Sequence, residues 1–125
     1  MTARATGLHV LHVASEVAPY AKSGGLGDVV AALSRARAQA GVTVSVVTPR
    51  YQSIEPERLG LARRLAPLEV ALGRKTEQVT VFEGQHPGAK VAIYFLDHEV
   101  YRREGLYGDS NGDFPDNGLR FALLC

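Results

Sequence analysis

EVAPYAKSGGLGDVV, residues 16–30, joins an apolar run to a segment with helical spacing, and this junction decides the fold. The preceding run, residues 8–14, is almost continuously apolar, as is typical of a parallel strand covered on both faces. The following segment places apolar side chains on one face of a helix that we expect to end near Gly41. The members of this stripe are Leu26, Val29, Val30, Leu33, Ala36 and Ala40. A second β-branched run, residues 42–48, completes the order strand, loop, helix, strand, which predicts a βαβ unit with a right-handed crossover.

The rest of the chain predicts a hairpin, a third strand and a last helix. Residues 69–72 and 78–83 have β character and flank the charged tip at 73–76, which favours a β-hairpin. The run KVAIYFL, residues 90–96, predicts a strand that rejoins the parallel sheet. Pro115 followed by an aspartate predicts the start of a helix. The predicted fold class is therefore α/β, with a Rossmann-like parallel sheet, flanking helices and a β-hairpin.

Composition limits the classes of protein to consider. A chain of 125 residues with 46% hydrophobic and 22% charged residues is ordinary for one soluble globular domain, so we expect residues 1–125 to form one unit. Fourteen basic and 13 acidic residues give a net charge of +1, which predicts neither nucleic acid nor a membrane as a partner. The first apolar run is too short for a signal peptide or a spanning helix. Because a single cysteine, Cys125, excludes an internal disulfide, we predict a cytoplasmic location.

The loop between the first strand and the first helix is rich in groups that attract an anion. Lys22, Gly24 and Gly25 lie where the carboxyl end of a parallel strand meets a helix start, the usual place for ligands in open α/β sheets. Free amides and the helix dipole attract phosphate, and glycine lets a ligand come close to the backbone. The G-G-x-G spacing matches neither the dinucleotide fingerprint nor the P-loop. Two interpretations stay open: an anion-binding loop, or a tight connection without a ligand.

Three stretches of the chain form an ordered set. The first has the form S-E-x-x-P-x-x-K-x-G-G-L-x-D-V over residues 15–29, the second is VVTPRY at 46–51, and the third is LYGDSNGDFPDNGLRFALL at 106–124. Together they resemble the bacterial glycogen synthases and plant starch synthases. The resemblance implies part of a retaining GT-B glycosyltransferase, in which two Rossmann-like domains face each other across a cleft. It further implies transfer of glucose from ADP-glucose to the non-reducing end of an α-1,4-glucan.

The resemblance also implies substrate-binding roles for individual residues. Lys22 would neutralise charge on the diphosphate, and the amides around Gly24 and Gly25 would approach the phosphates or the glucose. Asp28 falls in the first helical turn, where the helix dipole stabilises any carboxylate, so a substrate role and a helix-start role both stay open. Tyr107 is a candidate sugar contact.

Other polar groups predict structure more than chemistry. Glu16 could hydrogen-bond an acceptor sugar or hold the loop, and of these two roles we expect it to hold the loop. Residues 109–113 begin like a calcium loop, but Phe114 and Arg120 stand where that loop needs glycine and glutamate. No histidine or cysteine has a partner at metal-ligand spacing. We therefore assign no catalytic residue, no metal and no cofactor.

The resemblance covers only an incomplete first domain. Because most groups around the departing diphosphate would come from elsewhere, we expect the chain alone to be inactive. We also expect uncovered apolar faces that favour self-association or a missing carboxyl-terminal partner. Two hypotheses stay open: the amino-terminal part of a glycogen (starch) synthase, or a non-catalytic module that binds a sugar nucleotide or a glucan. A nicotinamide oxidoreductase is disfavoured, because residues 48–50 offer no acidic residue after the second strand.

Overall fold

A mixed sheet of six strands forms the centre of the computed structural model, which describes residues 7–125. In chain order the elements are β1 (His9–Val13), α1 (Gly25–Gln39), β2 (Thr43–Pro49), α2 (Pro56–Leu59), β3 (Ala62–Arg63), β4 (Leu68–Leu72), β5 (Lys75–Gln85), β6 (Ala92–Asp97), a one-turn helix (Glu99–Tyr101), β7 (Gly108–Asp109), β8 (Gly112–Asp113) and α3 (Asn117–Leu124). The strand order is β1-β2-β6-β5-β3, and β4 pairs with β5. Among residues 7–125 no helix is long and apolar enough to cross a membrane.

The parallel part of the sheet and the hairpin are the predicted ones. β1 pairs in parallel with β2, with His9 opposite Thr43 and Val13 opposite Val47, and β6 pairs in parallel with the other edge of β2. β4 and β5 pair antiparallel around Gly73, whose φ of 64° suits glycine in a tight turn. The predicted parallel strands and the β-hairpin are therefore confirmed, and β5 joins them by pairing antiparallel with β6.

The prediction that the first strand is covered on both faces is wrong for this chain. β1 is the edge strand of the sheet, and its side chains alternate between exposed and half-buried. Leu11 is 55% exposed and Val13 is 47% exposed. The apolar composition of β1 is therefore not matched by full burial on this face.

The predicted apolar stripe of α1 is also partly wrong. Leu26, Val29 and Leu33 are exposed, while the buried residues of α1 are Gly27, Val30 and Ser34. The buried stripe is rotated by about one position, because small residues let the helix come close to the sheet. The Ser34 hydroxyl is buried but not unpaired, because it donates to the carbonyl of Val30 at 2.6 Å.

Buried side chains form two clusters, one on each face of the sheet. The cluster beneath α1 contains Val17, Ala21, Val30, Val44, Val46, Tyr51, Ile54, Val91, Ile93 and Phe95. The cluster on the other face contains Val79, Val81, Leu96, Tyr101, Leu123 and Leu124. Because α3 supplies the last two of these, the predicted helix after Pro115 is confirmed and covers one end of that face.

The remainder of the second face is open. A groove of about 1130 Å³ runs along it and is lined largely by apolar side chains, among them Leu11, Val47, Leu65, Tyr94 and Leu96. The expectation of an uncovered apolar face is thus confirmed for the described residues, whereas self-association stays a prediction. Apolar surface of this kind favours association in water.

Candidate functional site

The candidate site lies at the carboxyl ends of β1 and β2, where a loop leads from β1 into α1. The base of this loop is well packed: Val17 and Ala21 are buried, and the amide of Ala21 donates to the carbonyl of Val17 at 2.9 Å. The amide of Ala18 donates to the carbonyl of Gly27 at 3.0 Å, which ties the loop to the first turn of α1. The tip around Lys22 is exposed. A fixed base therefore presents a solvent-facing tip.

Glu16 is buried beneath the tip and organises it. Its Oε1 accepts a hydrogen bond from the Ser23 amide at 2.8 Å, and its Oε2 accepts from the Ser23 hydroxyl at 2.8 Å. The Tyr107 hydroxyl also donates to Oε2, and the nearby Gly24 amide favours the charged form of the carboxylate. Burial by itself would raise the pKa of Glu16, but these hydrogen bonds outweigh burial and lower the pKa. The expectation that Glu16 holds the loop is confirmed.

Hydrogen bonds join the three family-like stretches at this point. The Tyr107 hydroxyl lies 2.7 Å from the Ser15 hydroxyl, which must donate because the tyrosine proton goes to Glu16. The Tyr51 hydroxyl donates to the carbonyl of Ser15 at 2.7 Å. Sequence analysis missed Ser15 and Tyr51 as parts of the site. The signal for Tyr51 was its place directly after the second strand, at the same sheet edge as the loop.

The two charged residues predicted for the site lie together. Lys22 Nζ and Asp28 Oδ2 are 2.9 Å apart, and both side chains are at least half exposed. An exposed ion pair of this kind contributes little to stability, about 0–1 kcal/mol. The Lys22 ammonium can therefore exchange its partner for a stronger anion at small cost.

Gly24 and Gly25 stand at an open surface, and Gly27 does not. A Cβ added at Gly24 or Gly25 would meet nothing within 4 Å, and neither residue has a positive φ. α1 has no side-chain cap, and the amides of its first turn have no acceptor within the helix. The amides available to a ligand are therefore those of the first turn of α1, from Gly25 onward. A ligand could approach the backbone there without a steric obstacle.

Gly25→Ala and Gly27→Ala are expected to differ in stability although both lie in the first turn of α1. A Cβ at Gly27 would lie 3.0 Å from the carbonyl oxygen of Ala21 and 3.2 Å from the Cβ of Lys22. We expect Gly27→Ala to lower the free energy of unfolding by about 1–3 kcal/mol. Gly25→Ala should change it by less than about 0.5 kcal/mol. Urea denaturation measures both, and equal midpoints would contradict this packing.

The third family-like stretch, residues 106–124, is held in place by contacts on its buried side. The guanidinium groups of Arg103 and Arg120 both lie 4.9 Å from the centroid of the Phe114 ring. The Asn117 side-chain amide donates to the carbonyl of Tyr107 at 2.8 Å. These contacts place the Tyr107 hydroxyl at the loop.

The segment that begins like a calcium loop forms a small hairpin instead. β7 and β8 pair antiparallel, and the Asn111 amide donates to the Asp109 carboxylate at 2.8 Å. Within residues 7–125 no three side chains of histidine, cysteine, aspartate or glutamate come together as a metal site would need. The described site offers an exposed cation and helix-start amides, which are groups suited to an anion.

Comparison with known proteins gives one family. The model of the starch synthase catalytic domain matches residues 9–125. Glycogen synthase 1 of Geobacter sulfurreducens is 47% identical over 121 residues, which are 95% of this chain and 24% of that protein. The glycogen synthase of an Anaeromyxobacter species is 47% identical over 120 residues, again 24% of its length. The chain thus spans about a quarter of the length of these curated relatives.

A solved structure agrees with the fold. The catalytic domain of starch synthase IV from Arabidopsis thaliana, bound to ADP and acarbose, matches with a TM-score of 0.78 and 30% identity over 94% of this chain and 23% of that one. The predicted fold class, an α/β Rossmann-like sheet from a GT-B catalytic domain, is confirmed by this match. From the match over residues 9–125, the chain belongs to the starch synthase catalytic domain family.

Proposed function

We propose that this chain is the amino-terminal part of a glycogen (starch) synthase, which transfers glucose from ADP-glucose to the non-reducing end of an α-1,4-glucan. The observation that carries the proposal is the meeting of all three family-like stretches in one hydrogen-bonded cluster under the loop that contains Lys22. Family membership supports it, as does the ADP and acarbose in the Arabidopsis relative. In this proposal residues 1–125 are an incomplete first domain.

The loop would act on the diphosphate of the donor sugar. Lys22 would leave Asp28 and pair with the diphosphate, and the amides from Gly25 onward would donate to it. The missing side chain at Gly25 leaves room for the ligand to reach these amides. Positive charge and oriented amides at this place stabilise the negative charge that develops on a departing diphosphate.

We assign no catalytic residue to this chain and expect it to be inactive alone. It spans about a quarter of its curated relatives, so other groups around the reacting atoms would come from the remaining three quarters. A non-catalytic module for a sugar nucleotide or a glucan is the alternative, since it would use the same loop. The cytoplasmic location also stays a prediction.

Lys22→Ala is expected to weaken the binding of ADP-glucose to this chain about tenfold, which corresponds to the loss of one charge contact. Calorimetric titration measures this, with ADP-glucose and a maltooligosaccharide as separate ligands. Lys75→Ala is the matched control, because Lys75 is an exposed lysine that belongs to the β4–β5 hairpin and not to the loop. The control should bind as the unchanged chain does.

The titration separates three cases. Saturable binding that Lys22→Ala weakens supports the loop as a donor site. Equal binding by both proteins contradicts it. If the folded chain binds neither ligand, the non-catalytic module is excluded, and the loop would need the other part of the enzyme before it binds.

A further inference from the structure

We propose that Tyr107 is a positioning residue: acting through Glu16, it fixes the backbone of the loop that contains Lys22, and its hydroxyl does not contact the sugar. The inference rests on the proposed function in one respect only, which is that a donor sugar is the ligand of the loop. It replaces the sugar-contact role expected for Tyr107 from the family resemblance.

The hydroxyl of Tyr107 is already committed to the protein. It donates its only proton to Glu16 and accepts the proton of Ser15. The ring is half-buried and packs on Phe121 with 5.7 Å between centroids. The backbone carbonyl is held as well, by the Phe114 amide at 2.9 Å in addition to the Asn117 side chain. Tyr107 therefore has a fixed position, and its hydroxyl proton points to Glu16.

Glu16 passes this constraint to the loop. It is 3% exposed, and within residues 7–125 it forms no ion pair. Its charge is held by three donors, which are the Tyr107 hydroxyl, the Ser23 hydroxyl and the Ser23 amide, and the Gly24 amide also favours the charged form. A buried carboxylate depends on such donors, since it has lost its hydration. Both amides stand directly before α1, so a shift of the carboxylate displaces the loop tip.

The protonation of Glu16 can be measured, because the two tyrosines that face it do not titrate in the same pH range. Burial raises the pKa of Tyr107 and of Tyr51, so neither phenol titrates in acid. Removal of the Tyr107 hydroxyl takes away one of the hydrogen bonds that lower the pKa of Glu16. The Ser23 amide, which donates to this carboxylate, and the neighbouring Gly24 amide should report the change directly.

Tyr107→Phe tests the inference, because it keeps the ring and removes the hydroxyl. The ¹⁵N-labelled chain is titrated with acid while the amide signals of Ser23 and Gly24 are followed, and ADP-glucose affinity is measured by calorimetry. For Tyr107→Phe we expect the titration of Glu16 to have a higher midpoint pH, and ADP-glucose to bind about tenfold more weakly. Glu16→Gln should abolish the titration at both amides. Tyr94→Phe is the matched control, since Tyr94 lies in the groove of the second face.

Each result decides the inference. A higher midpoint with weaker binding supports it. Weaker binding with an unchanged midpoint means that Tyr107 contacts the ligand directly, and it overturns the inference; so does unchanged binding by Tyr107→Phe. If the unchanged chain binds no ADP-glucose, the loop needs the other part of the enzyme before it binds, and the midpoint at the Ser23 and Gly24 amides alone decides the inference.

A second variant covers the case in which Tyr107→Phe does not fold. Ser23→Ala removes the other hydroxyl that donates to Oε2 of Glu16 and leaves the Ser23 amide in place. It should raise the midpoint at the Gly24 amide and weaken binding in the same direction. A midpoint and an affinity like those of the unchanged chain would overturn the inference.

Discussion

Arg120→Ala is expected to lower the free energy of unfolding by about 3–5 kcal/mol. Arg120 is fully buried, and its guanidinium donates to the carbonyls of Val100 at 2.7 Å and Leu106 at 2.9 Å and to the Asn117 side chain at 2.8 Å. The alanine variant leaves these three acceptors unpaired and opens a cavity beside Phe114. Equilibrium unfolding in urea measures the loss.

Arg103→Ala is the matched control for this prediction. Arg103 also contacts Phe114 and pairs with Asp116, but about a third of each side chain is exposed. We expect a loss of less than about 1 kcal/mol, as for other solvent-exposed ion pairs. Similar losses for the two variants would mean that burial of Arg120 is not what makes it important.

Glu16→Gln is expected to lower the free energy of unfolding by about 3 kcal/mol at neutral pH and to reduce its dependence on pH. An uncharged amide accepts more weakly, and its NH₂ group faces donors in place of acceptors. The affected donors belong to Ser23 and Tyr107.

The direction of the pH effect follows from the pKa of Glu16, which is lower in the folded chain than its usual value of 4.5. The Glu16 carboxylate therefore stabilises the fold fully above about pH 4.5, and this contribution is lost as the pH falls through the folded-state pKa. The pKa of Asp116 is also lowered, by its hydrogen bond with Arg103, so both proteins lose that contribution in acid. Unfolding free energies from neutral pH to about pH 3 should converge for the two proteins. Parallel curves would contradict the role of Glu16.

The order of elements was predictable because its signals are local. The apolar run before the loop, the glycine at 41 and the proline at 49 mark the ends of β1, α1 and β2 within a few residues. The buried face of α1 was not predictable from apolar spacing. It depends on how closely the helix approaches the sheet, and Gly27 and Ser34 decide that. The exposed face of β1 depends on which elements pack over it, and spacing along the chain carries no such information.

The position of the candidate site was predictable, but the hydrogen bonds that hold it together were not. The loop with Lys22, Gly24 and Gly25 lies at the expected sheet edge, with Asp28 beside it. The contacts that hold the loop join residues far apart in sequence: Ser15 and Tyr107 are 92 positions apart, and Ser15 and Tyr51 are 36 apart. Such pairs leave no periodic pattern, so only the structure shows that the three stretches meet.

The distance in sequence between Glu16 and Tyr107 also determines the order in which the two residues become available during synthesis. Glu16 leaves the ribosome 91 residues before the hydroxyl that completes its set of donors. Domains generally begin to fold from the amino terminus during synthesis, so β1 and α1 can form while Glu16 still lacks that donor. We therefore expect the loop to become ordered late, after residues 106–124 have been made. A growing chain would thus gain its ligand-binding geometry only once all three stretches are present.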